Sequence, residues 1–124
     1  MESTIDTIEK AFIAEGLDIT LMPIVDHLQN EADKNAVINN YKIDVVVRAL
    51  NNEGQKTPWI ADYLDDNQTK YENIYYNSPA SGWSLSVVGR WCSVTSCGSR
   101  RVFRTRAIGR FFWENFSDLI KEIL

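Results

Sequence analysis

The sequence predicts an α+β fold, a small antiparallel β-meander of about three strands packed with a C-terminal helix and a central helix, plus an N-terminal helical arm. Three observations carry that expectation. Apolar residues recur at helical spacing through the first part of the chain, the period shortens to two from Lys70 onward with Gly/Ser-rich turns between the runs, and a helical stripe returns from about Arg106. With 124 residues, 44% of them hydrophobic and 24% charged, the chain has the size and composition of one domain, read here as an arm over 1–32 and an α+β core over 33–124.

Ile5, Ile8, Phe12 and Ile13 form the first stripe, with Ser3 as its expected cap and Gly16 as its stop. Asp18 opens a second apolar stretch, ITLMPIVDHLQ, expected to be helical to about Gln29 with Pro23 in its first turn. Asp33 is the expected cap of a third, central helix. Its run IDVVVRAL suits a strand as well, but helix is the reading taken, ending in NNEG where Gly54 supplies a positive φ. KYENIYYN, GWSLSVVGRW and RRVFRTR then read as three strands joined by the turns SPASG and SVTSCGS. Strict alternation in the second strand places Trp83, Leu85, Val87 and Trp91 on one face and Ser84, Ser86, Val88 and Arg90 on the other. In the third, Phe103 faces one way and Arg100, Val102, Arg104 and Arg106 the other. A hairpin joining the two wet faces would gather four arginines and two serines. The last helix buries Ile108, Phe112, Phe116, Leu119, Ile120 and Ile123. Phe111 and Trp113 lie off that stripe, where they either widen the core face or mark an oligomer interface.

The charge is unevenly placed. Between Asn73 and Trp113 there are six arginines (Arg90, Arg100, Arg101, Arg104, Arg106 and Arg110) and no Asp or Glu, so this stretch is +6; the remaining seven bases against 17 acids give −10, for a net −4. A long nucleic-acid track would be basic over more of its surface, whereas a local patch in an acidic body suits one compact anion. The alternative is an arginine face neutralised by the protein's own acids.

Guanidinium groups match phosphate oxygens two at a time and stay charged at any cellular pH. Thr105 as a cap, with Arg104, Arg106 and Arg110 around the first helical turn, adds free N–H groups and the positive end of a helix dipole. Trp83, Trp91, Tyr75 and Tyr76 are near in sequence, either as core or as faces on which a base stacks. Catalysis is not expected, because the basic segment holds no carboxylate, histidine or lysine to serve as a general base, and His27 is the only histidine. Two cysteines, Cys92 and Cys97, and one histidine are too few for a disulfide framework or a closed zinc site. No cofactor is expected. No run approaches the length of a membrane span and the first residues are acidic, so the expected location is the cytoplasm.

Two stretches resemble a family of small bacteriophage and prophage proteins. Asn52, Glu53, Gly54, Lys56 and Trp59 are similar to its NEGWKPDW segment, with Gln55, Thr57 and Pro58 departing from it. Gly98, Ser99, Arg100, Phe103, Arg106, Phe116, Asp118, Leu119 and Lys121 are similar to its GSRLCFKSRELAEYAGKQFEDLYKDYL ending, with Arg101, Val102 and Arg110 departing. The resemblance spans residues 36–124 and points to the Thoeris anti-defence one proteins, phage sponges that sequester a signal instead of cleaving it. It implies capture of a cyclic ADP-ribose made by a TIR-domain enzyme, in some members a cyclic oligonucleotide, by a homo-oligomer with sites between protomers. On this reading Arg100, Arg104, Arg106 and Arg110 hold phosphates, Arg90 adds a charge from a second side, Trp83 or Tyr75 stacks on a base, and Ser84 and Ser86 contact a ribose. The rival readings are a small phage nucleic-acid-binding protein and an inhibitor that docks its arginines on an acidic host protein.

Overall fold

The computed structural model describes residues 3–65, 67–91 and 101–124, and of Trp91 the backbone alone. Its elements are α1 (Ile8–Ala14), α2 (Glu31–Asn52), β1 (Lys70–Ser78), β2 (Gly82–Trp91), β3 (Val102–Phe103) and α3 (Arg106–Lys121). The α+β class and the three antiparallel strands agree with the sequence.

Thr7, not Ser3, caps α1, its hydroxyl accepting from the Lys10 amide at 3.2 Å. Ser3 instead accepts from the Ile5 amide. Gly16 (φ 69) ends the turn as expected. The stretch from Asp18 to Gln29 is not helical. Pro23 has no N–H to donate, and Leu21 and Ile24 are 70% and 80% exposed while only Ile19 and Met22 pack against the core, so a helix here would bury little apolar surface to offset its nucleation. Asn30 takes the capping role expected of Asp33: its Oδ1 accepts from the Asp33 amide and its Nδ2 donates to the Asp33 carboxylate, both at 2.8 Å.

The IDVVVRAL run lies inside α2. Ile43, Val45, Val46, Val47, Ala49 and Leu50 are all buried because the helix is covered from several directions, by α1, by α3 and by β3. Burial on most sides narrows the polar stripe of this run to Asp44 and Arg48, one turn apart, which explains the strand-like pattern. Ile5, Ala11 and Phe12 from the N-terminal arm join the same core as Phe103, Phe112, Phe116 and Ile120, so the arm is part of the core rather than an appendage to it.

The strand order is β2-β1-β3. β1 and β2 form the expected hairpin, with Gly82 at φ 72 in its turn. β3 adds to the far edge of β1, pairing Phe103 with Tyr71 and Val102 with Glu72, so the sequential meander is not formed. The buried Asn51 amide explains where β3 goes. Its Nδ2 donates to the Val102 carbonyl and its Oδ1 accepts from the Arg104 amide, each at 2.8 Å, so α2 serves the outer edge of β3 as a further strand would.

A bulge alters the faces of β2. Ile74 pairs with Val87 and Tyr75 with Leu85, leaving Ser86 as the extra residue. Trp83, Leu85, Val88 and Arg90 are consequently the partners of Asn77, Tyr75, Asn73 and Tyr71, the residues of β1 that share the α3 side, while Val87 falls on the other face with Ile74. Val88 is buried and Val87 is exposed, the reverse of the strict alternation.

The helix α3 rests on this sheet through Gly109. A Cβ there would lie 2.7 Å from Asn73 Oδ1, 3.1 Å from Val88 Cγ1 and 3.3 Å from a Phe103 ring carbon. Asn73, itself buried, donates from Nδ2 to the Gly109 carbonyl at 2.9 Å and so fixes the helix at its closest approach.

Candidate anion-binding face

The expected arginines divide into two groups. Arg104 turns toward α2: its Nε donates to the Asn51 carbonyl at 3.0 Å and a terminal nitrogen reaches the Glu53 carbonyl at 3.5 Å. These are carbonyls at the C-terminal end of a helix, which have no intrahelical partner and favour a cation. Arg101 also turns toward α2, donating to Asn40 Oδ1 and lying 3.5 Å from the Asp44 carboxylate. The alternative of self-neutralisation therefore applies to Arg101, and Arg104 is a structural clasp.

Arg106, Arg110 and Arg90 are exposed and lie on the α3 side of the sheet. The Arg106 guanidinium stands over the Tyr71 ring, 5.4 Å from its centroid. Tyr71 is also the cross-strand partner of Arg90, so Arg90 stands on the same face of the sheet at the neighbouring strand position. Arg110 follows Arg106 by four residues and so lies on the same side of α3, its side chain making no ion pair or hydrogen bond to another described residue. The helix begins nearby at Thr105, whose hydroxyl accepts from the Ile108 amide at 3.1 Å, and its first turn holds no acid. Positive potential is thus concentrated at one end of α3 by side chains and backbone together.

The aromatic floor of this face is Tyr71, Tyr75 and Trp113. Tyr75 and Trp113 pack with ring centroids 5.3 Å apart, and Lys121 stands 5.5 Å from the Trp113 centroid. Burial pushes the Tyr75 hydroxyl above its ordinary pKa; the nearby Glu72 charge adds to this, while the Asn73 hydrogen bond and the Arg101 charge work against it. Trp113, which the helical stripe left between core and oligomer interface, packs against the core together with Phe111.

Trp83 is half-buried on the same face, opposite Asn77. The other expected residues are placed elsewhere. Ser84 pairs with Tyr76 on the opposite side of the sheet, its hydroxyl buried without a hydrogen-bond partner among the described residues, and Ser86 occupies the bulge. Neither shares the arginine face through a joined hairpin, because β2 and β3 are opposite edges of the sheet. Arg100 lies outside the described residues, as do Cys92, Cys97 and the side chain of Trp91. Sequence reasoning missed Tyr71, whose only signal was its place in the first strand.

Among the described residues no group of three or more His, Cys, Asp or Glu side chains is placed to hold a metal, and no helix is long and apolar enough to cross a membrane. No protein-family model, curated protein or solved structure matches the chain.

Proposed function

We propose that this protein binds a compact phosphate-bearing nucleotide on the face built by Arg90, Tyr71, Arg106 and Arg110, and holds it without chemical change. The observation that supports this most is the Arg106 guanidinium over the Tyr71 ring, with Arg90 at the cross-strand position to Tyr71 and Arg110 one turn farther along α3. A guanidinium over an aromatic ring, with further arginines on the same side of the sheet, offers a phosphate its counter-charge beside aromatic surface on which a base can stack. No carboxylate, histidine or lysine occurs between Asn73 and Trp113 to move a proton, which favours capture over turnover.

Taken with the resemblance to the Thoeris anti-defence one proteins, the proposal narrows to a cytoplasmic phage sponge for a cyclic ADP-ribose immune signal, or a cyclic oligonucleotide. A homo-oligomer would enclose an otherwise open face and raise its affinity by excluding water. Competition with a host effector requires a dissociation constant of about 1 nM, roughly −12 kcal/mol.

Calorimetric titration with cyclic ADP-ribose isomers, a cyclic dinucleotide, a cyclic trinucleotide, linear ADP-ribose and a short single-stranded DNA tests the reading. Tight binding of a cyclic member that is recovered intact supports it. Silence across the cyclic members rejects it, and binding of DNA alone, weakening steeply with salt, points to a nucleic-acid-binding protein instead.

A further inference from the structure

A second concavity lies away from the arginine face, between α1 and the C-terminal end of α2. It is an open groove of about 510 Å³ lined by Ile5, Ala14, Ala49, Ile13, Lys10 and Glu53, with Thr4, Asn52 and Gly54 completing the wall. That volume suits a small organic molecule. Its apolar surface comes from Ile5 and Ala49, which are buried, and from Ala14 and Ile13 at the lip, the latter 78% exposed.

The two charged groups of the wall are not equivalent. Lys10 is already matched, its ammonium 2.7 Å from the Asp6 carboxylate. Glu53 is bonded through Oε2 alone, which accepts from the Thr4 amide at 3.3 Å and the Thr4 hydroxyl at 3.1 Å. Its Oε1 has no partner among the described residues. The residue is also fixed from its backbone, where Arg104 reaches the carbonyl and its own amide donates to Ala49. Asn52 is already engaged at both ends of its amide, its Nδ2 donating to Glu15 and its Oδ1 accepting from Trp59. What remains is one oriented carboxylate oxygen above a hydrocarbon surface.

We infer that this cavity seats a small organic ammonium ion with a hydrocarbon body, its N–H groups on Glu53 Oε1 and its apolar part against Ile5, Ala14 and Ala49. An anion is disfavoured here, because Lys10, the cation of the wall, is paired with Asp6 and Glu53 repels an anion. The site is independent of the arginine face and stands or falls apart from it.

Amide chemical-shift titration of the full chain with 3-methylbutylamine, and with 4-methylpentanoate as its anionic counterpart, tests the inference. The amine is expected to saturate, with shifts confined to α1 and residues 49–54, and the carboxylate to leave these amides unmoved. Glu53→Gln keeps an acceptor for Thr4 while removing the charge, and is expected to weaken amine binding at least tenfold. Ala14→Phe fills the cavity from its lip without touching Glu53 and is expected to abolish it. No saturation by about 10 mM amine, an equal response to the carboxylate, or unchanged affinity in both variants would overturn the inference.

Discussion

Replacing Gly109 by alanine sets two magnitudes against each other. Helix propensity alone favours the change by about 1 kcal/mol, since alanine has less backbone freedom to lose than glycine inside a helix. The structure opposes it. The new methyl would lie 2.7 Å from Asn73 Oδ1 and 3.1 Å from Val88 Cγ1, on the side of α3 that faces the sheet. Asn73 cannot yield cheaply, because it is buried and its Nδ2 is bonded to the Gly109 carbonyl at 2.9 Å. Overpacking of this kind costs about 1–3 kcal/mol. Displacing Asn73 leaves buried polar groups unpaired at a further cost of about 1–3 kcal/mol. The net expectation for Gly109→Ala is a loss of about 1–5 kcal/mol, read from the urea midpoint at unchanged slope. Asn73→Ala in the same chain removes the nearest obstacle, so the double variant should lose clearly less than the two single losses combined. A Gly109→Ala protein more stable than wild type by about 1 kcal/mol would refute the close approach of α3 to the sheet.

Other perturbations separate the clasp from the site. Asn51→Ala deletes both hydrogen bonds that hold β3 to α2 and should cost about 2–4 kcal/mol in urea unfolding, whereas an exposed asparagine would cost almost nothing. Arg104→Ala should lower stability by about 1–2 kcal/mol by freeing carbonyls at the end of α2, while Arg110→Ala should change it by less than about 0.5 kcal/mol. Alkaline pH acts through Tyr75. Its folded-state pKa lies above the unfolded value near 10, so the stabilisation is fully present below that value and is lost as pH rises through the folded pKa. Phenolate absorbance should therefore show Tyr75 titrating late in the folded protein together with Tyr63, which burial and the Glu72 charge also push up, and Tyr75→Phe should reduce the late phase by one tyrosine.

Where the sequence and the structure part company, the deciding contacts are distant in the chain. Helices at both ends of the core were legible because Phe12 and the Phe112, Phe116, Ile120 series are spaced for one buried side. The caps at Thr7 and Thr105 follow from the same local chemistry, although only Thr105 was assigned correctly from sequence. Strand order was not legible, since a two-residue strand carries no preference for either edge of its neighbour and Asn51 lies far upstream. The bulge at Ser86 exchanged the faces of β2 beyond it, and nothing in GWSLSVVGRW other than the adjacent Val87 and Val88 hinted at a break in alternation. The same limit applies to the site. Counting arginines locates the positive stretch but does not tell Arg104, engaged by helix carbonyls, from Arg106, which stands exposed over a ring.

That distinction can be read in one set of titrations, with the tightest cyclic ligand of the panel added to wild type, to Arg104→Ala, and to the double variant Arg106→Ala with Arg110→Ala. Loss of two charge-assisted bonds, at about 1.5–3 kcal/mol each, predicts a fall in affinity of roughly 10²–10⁴-fold for the double variant, while folded Arg104→Ala should bind nearly as wild type. A double variant that binds as tightly as wild type, or a wild type that binds no cyclic nucleotide, would contradict the proposed capture on the α3 face.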